Sequence, residues 1–169
     1  FSLLEFKLPN ALKTLGNGAF RRCRALKEIV LPASLTHMGA FALAGCENLE
    51  EVVLPEGLVS IGSQSFWLCS GLTEIALPAT VTTIGSNAFY PATGGANLRS
   101  LTFGNGVNIA AIGNNAFMGQ SKLYKLTFES NINIAKIGVS AFESATALQS
   151  LEIPASVTEI GSKAFYGCS

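Results

Sequence analysis

Four cysteines, one histidine and eleven acidic residues are the side chains of this chain with obvious chemical potential. All eleven acids are glutamates, and the single histidine is His37. Without aspartate, Asp-based triads and Asp-rich calcium loops are excluded, and one histidine excludes multi-histidine metal sites. A Glu-His-Ser or Cys-His arrangement remains conceivable. His37, however, stands between Thr36 and Met38 at a position taken elsewhere by Ser60, Thr83 and Glu159, which reads as an outward, solvated slot. Gly16-Asn17-Gly18 and Gly104-Asn105-Gly106 fall in turns and open no long helix, so phosphate cradling is not expected. Arg21, Arg22 and Arg24 cluster near Lys27, but the formal net charge is +0 and no basic stripe runs along the chain, so nucleic-acid binding lacks its electrostatic footprint. The residues predict no enzyme activity, no cofactor and no metal.

The cysteines have a regular place. Cys23, Cys46, Cys69 and Cys168 each follow a Phe or Leu by three residues, and Ala92, Gln120 and Ala145 fill the same slot elsewhere. A residue that alternates with alanine behaves as a small buried hydrophobe, which favours free structural thiols. A disulfide between stacked neighbours remains an alternative, since Cα atoms about 5 Å apart can be bridged. A zinc site is a weaker one, because the paired short spacing of such sites is missing.

That regularity belongs to a repeat covering the whole chain. The glycines that follow an aliphatic residue and precede a Phe or Leu by four positions are Gly16, Gly39, Gly62, Gly85, Gly113, Gly138 and Gly161, at steps of 23, 23, 23, 28, 25 and 23 residues. Periods of this length mark one supersecondary unit per repeat. One unit holds Leu72, Ile75, Leu77, Pro78, Val81, Ile84, Gly85, Ala88 and Phe89; the preceding one holds Leu49, Val52, Leu54, Pro55, Leu58, Ile61, Gly62, Ser65 and Phe66. We number the seven units coils one to seven by their glycines. The longer steps come from extra residues within Tyr90 to Asn97 and from Asn108-Ile109-Ala110 and Asn133-Ile134-Ala135, expected as loops on one side of the stack.

Each unit begins with a two-residue alternation that predicts a short strand, and Pro9, Pro32, Pro55, Pro78 and Pro154 end that strand where no N–H is needed. A second extended piece leads to the Gly, and the Ala-Phe pair is expected on a 3₁₀ or single helical turn. No unit can bury its apolar side alone, but stacking at about 4.8 Å joins those sides into one core. The predicted fold is therefore a repeat solenoid of α/β type, a right-handed coil with a parallel sheet on its concave face and short strands and helical turns opposite. Residues 1–169 form one domain of seven repeats. Hydrophobic residues make up 49% of the chain, yet no apolar run reaches the roughly 18 residues that span a bilayer, so this segment is not expected to insert into a membrane. No polar capping unit is visible at either end, which predicts a segment of a longer protein or end-to-end self-association.

The repeat resembles that of the BspA-like leucine-rich-repeat proteins, LxxIxLPxxVxxIGxxAFxxCxx. The fit is close at Leu72 to Phe89 and at Leu148 to Cys168 and extends over essentially the whole chain. Coils five and six depart from it, with Gly104 and Glu129 in place of Pro and Gln120 and Ala145 in place of Cys, which implies looser turns there. The resemblance implies a secreted or surface-anchored bacterial protein, extracellular, that adheres to a host-matrix or neighbouring-cell protein, and it brings no catalytic residues.

Two outward columns are candidate contact sites. One comprises Glu5, Glu28, Glu51 and Glu74, continued by Ser100, Lys125 and Ser150, with Val30 and Val53 beside it. Like charges in neighbouring strands repel, so the column reads either as a docking strip for a basic peptide or a cation, or as soluble filler copied by duplication. The other comprises Trp67, Tyr90 and Met118, side chains that interfaces use as anchors and that equally can pack on the loop from Tyr90 to Asn97. The functional expectations are a protein-binding module, a passive spacer, or carbohydrate recognition through Trp67 and Tyr90.

Overall fold

The computed structural model describes residues 7–91 and 95–168. Its strands are β1 (Thr14–Leu15), β2 (Glu28–Val30), β3 (His37–Met38), β4 (Glu51–Val53), β5 (Ser60–Ile61), β6 (Glu74–Leu77), β7 (Thr83–Ile84), β8 (Ser100–Phe103), β9 (Asn108–Ile112), β10 (Lys125–Phe128), β11 (Asn133–Ile137) and β12 (Glu159–Ile160). Every pairing is parallel and joins one coil to the next. The alternation that predicts the strands is visible in their burial: Ile29, Val52, Ile75 and Leu101 are buried while Glu28, Val30, Glu51 and Val53 are exposed.

The two sides of the coil differ in continuity. The second extended pieces form one seven-stranded sheet, β1-β3-β5-β7-β9-β11-β12. The leading strands, expected to make the main sheet, form two shorter ones, β2-β4 and β6-β8-β10. We call the outer side of the leading strands the strand face. The two-residue insertions expected as loops are strand instead: they lengthen β9 and β11 to five residues and pair Asn133 with Asn108 and Ile134 with Ile109. Ile109 and Ile134 point inward, as do Ile112 and Ile137 three residues on, so the strict alternation breaks within each of these strands.

The helical turns, and with them the α/β character, are absent: among the described residues there is no helix. The reason lies in where the N–H groups go. In coil two, Ala42, Ala44 and Cys46 donate to Gly39, Phe41 and Leu43 three residues back, while the alternate amides of Phe41, Leu43 and Gly45 donate to Ser63, Ser65 and Trp67 of coil three. An α-helix would send all of them four residues back. The alternation needs left-handed backbone every fourth residue, at Phe41 (φ 58°) and Gly45 (φ 76°), then at Gln64 (φ 58°) and Leu68 (φ 61°). The turn is thus a third hydrogen-bonded ladder.

The Phe slot forms the spine of the core. Rings of Phe66, Phe89, Phe117, Phe142 and Phe165 stack at centroid distances of 4.8, 4.9, 5.3 and 5.5 Å, nearly parallel throughout. The turns of coils five and six, expected to be looser, are tied by side chains: Asn131 Nδ2 donates to Asn105 Oδ1 at 3.1 Å, and the Asn105 amide donates to Glu129 Oε2 at 2.9 Å.

Candidate binding face

The cysteines are packing groups. Cys46 Sγ donates to the Phe20 carbonyl at 3.2 Å, Cys69 Sγ to Leu43 at 3.3 Å and Cys168 Sγ to Phe142 at 3.3 Å, in each case the Phe-slot carbonyl one coil earlier. Gln120 does the same from coil five, its Nε2 donating to the Phe89 carbonyl at 2.6 Å. All four thiols are free. Burial pushes the Cys46 thiol up from 9.0 to about 12, and Cys69 and Cys168 move in the same direction for the same reason. The unfolded chain loses the Cys46 proton first, so the stability that proton carries is intact below pH 9 and falls as pH rises toward 12. We expect the melting temperature to drop across that window less steeply in Cys46→Ala, and Cys46 to resist alkylation at pH 8 until the protein is unfolded; both can be read by calorimetry and mass spectrometry.

His37 sits exposed on β3, with Nδ1 2.8 Å from the Thr36 hydroxyl. No cluster of three or more His, Cys or Glu among the described residues is arranged to hold a metal ion.

Glu28 and Glu51 face outward in register on β2 and β4, and Glu74 continues the column on β6. Val30 and Val53 beside them are 77% and 69% exposed, the two most exposed large apolar residues among those described. Glu5 lies outside the described residues. The face holds a groove of about 890 Å³ across β4, β6 and β8, with Glu50, Glu51, Glu56, Glu74 and Glu129 on its walls together with Val53, and neither lysine nor arginine among them. It lies where the leading sheet is interrupted between β4 and β6. Among the described residues, Lys27 approaches Glu50 at 4.0 Å and Arg24 holds Glu47 at 2.9 Å, whereas Glu28, Glu51, Glu56 and Glu74 form no ion pair.

Sequence reasoning placed Glu51, Val53 and Glu74 here and missed Glu50, Glu56 and Glu129. The signal for Glu50 and Glu56 was their sign, the same as that of the column next to them. Glu129 was visible only as a replacement for Pro. The second candidate column does not join the first. Trp67, Tyr90 and Met118 are half-buried on the turn side, outside the groove, and a side chain added at Gly119 would meet Tyr90 Cε2 at 3.7 Å, so the tyrosine ring covers the neighbouring turn.

The fold is a parallel β-solenoid of stacked repeats with a continuous apolar core and a strand face rich in glutamate. The family model for the BspA type leucine rich repeat region matches residues 1–110 and 92–169, in six copies. The chain belongs to the BspA-type leucine-rich-repeat family. Solved structures agree with that placement. The chain is similar to a leucine rich cell surface protein from Faecalibacterium prausnitzii A2-165, with 30% identity and a TM-score of 0.79 over 93% of this chain and 41% of that one. It is also similar to the T. pallidum leucine rich repeat protein, with 26% identity and a TM-score of 0.64 over 81% and 72%. A leucine-rich repeat protein from Bacteroides ovatus ATCC 8483 shares 25% identity with a TM-score of 0.60 over 95% of this chain, which spans about half the length of that protein. None of the curated proteins matches the chain.

Proposed function

We propose that this chain is a non-enzymatic protein-binding module of a bacterial surface protein, and that the strand face is its docking surface for an extracellular partner. The observation that carries this reading is the groove across β4, β6 and β8, whose walls hold five glutamates and an exposed valine and neither lysine nor arginine. Stacking Glu28 on Glu51 costs stability, because like charges opposite one another in a sheet repel. A basic segment with one apolar residue would neutralise the carboxylates and cover Val53, which turns that cost into affinity. The family membership and the surface protein of F. prausnitzii support an extracellular setting. The stalk and carbohydrate readings draw on features other than this groove, and Trp67 and Tyr90 are half-buried.

The test is a binding screen of the purified chain against immobilised extracellular-matrix proteins and a panel of lysine- and arginine-rich peptides, at low and moderate salt. Saturable binding that weakens with salt is expected. Replacing Glu28, Glu51 and Glu74 together by Gln should abolish it while raising stability by about 0.5 kcal/mol, because the repulsion is removed and no ion pair is lost. Binding unchanged by the triple replacement would sink the strand-face reading, and no binding to anything in the panel would leave the chain a spacer.

A further inference from the structure

The glutamate column of the strand face ends at β6, and cations enter the same slots beyond it. From Glu28 to Leu98 the chain has six glutamates, Glu28, Glu47, Glu50, Glu51, Glu56 and Glu74, and neither lysine nor arginine. Beyond it, the equivalent outward positions at and just before β8 and β10 hold Arg99, Ser100, Tyr124 and Lys125. Arg99 and Lys125 are exposed and, like Glu28, Glu51 and Glu74, form no ion pair among the described residues. Tyr124 is 61% exposed. Glu129 and Glu152 keep the C-terminal half mixed in charge, but Arg99, Tyr124 and Lys125 stand in the slots that hold Thr73, Glu50 and Glu51 in the other half, so the spacing of these slots along the stack is the same.

We propose that the strand face docks onto a second copy of itself about a two-fold axis parallel to the strands and passing between β6 and β8. This deepens the reading of the strand face as a docking surface by naming its partner. Such a rotation reverses the order of the coils and keeps each outward slot against the same slot. Coil three then faces coil six, and coil four faces coil five. Glu51 meets Lys125 of the other copy, Glu50 meets Tyr124, and Glu74 meets Ser100 with Arg99 one position away. Glu56 falls against Ser130 and Glu129 against Pro55, so no glutamate is set against another. A two-fold interface makes every contact twice, which doubles the effect of each pairing. The charge complementarity that selects the occupant is written on the face itself.

The experiment is sedimentation velocity of the purified chain over a range of concentrations, at low and moderate salt, for the wild type, E51K, K125E and the double variant E51K/K125E. Both substitutions lie at exposed strand positions, and circular dichroism verifies that each variant is folded. The expected result is a salt-sensitive dimer whose dissociation constant rises at least about tenfold in each single variant and returns to within about threefold of wild type in the double variant. A wild type that stays monomeric at every concentration at low salt overturns the proposal, as do single variants that dimerise normally or a double variant that is not rescued. The binding screen separates this from the broader reading: a monomeric chain that captures a basic peptide through Glu51 and Glu74 keeps the strand face and loses the second copy.

Discussion

Gly62→Ala is expected to lower the unfolding free energy by about 3 kcal/mol, the upper end of what overpacking costs in a close-packed interior. A β-carbon at Gly62 would stand 2.6 Å from the Gly39 carbonyl carbon and 2.7 Å from the Ala40 nitrogen, both backbone atoms that cannot swing aside. Gly39, Gly85, Gly113, Gly138 and Gly161 meet the preceding coil in the same way, which is why this slot holds glycine in coils two to seven. Gly16 is the control. It belongs to coil one, and a β-carbon there has nothing within 4 Å. Gly16→Ala should be neutral or raise stability by about 0.5 kcal/mol through the unfolded chain. Chemical denaturation of both variants beside the wild type checks the pair, and equal losses at the two positions would refute close stacking as the cause.

Phe117→Ala should cost about 4 kcal/mol, in the range for removing a buried phenylalanine. The ring is fully buried and stacks between Phe89 at 4.9 Å and Phe142 at 5.3 Å, with Phe103 edge-on at 6.5 Å. Removing it interrupts the ladder at its middle and leaves a cavity with rings on both sides. Phe165, half-buried in coil seven, stacks on Phe142 alone among the described rings, so Phe165→Ala should cost about half as much. Calorimetry of the two variants reads the gradient; a loss at Phe165 equal to that at Phe117 would contradict it.

The repeat, the parallel stacking and the inward positions were legible because one slot can be compared across seven coils. Ile61, Ile84, Ile112 and Ile137 occupy one column of the sequence and one ladder of the structure, all nearly fully buried. What the sequence did not yield was the hydrogen bonding of the turn after the Gly. Gln64-Ser65-Phe66-Trp67 has nothing against a helical turn except the carbonyls of the next coil, and those accept only once the coils are stacked. The same limit hid the interruption between β4 and β6, since Glu51 and Glu74 sit in the same slot as the paired Glu28. The candidate face was half legible. The outward glutamate column could be read from period alone, but the groove needs neighbouring slots brought together in space, and so Glu56 and Glu129 were out of reach.

The unequal continuity of the two sides gives the stack a mechanical direction. Bending that opens the seven-stranded side works against an unbroken run of backbone bonds. Opening the opposite side at the step from β4 to β6 breaks no strand pairing, because none is made there. The molecule therefore behaves as a book bound along one edge, able to part its leaves at one page, and the parting page is the one that carries the acidic groove.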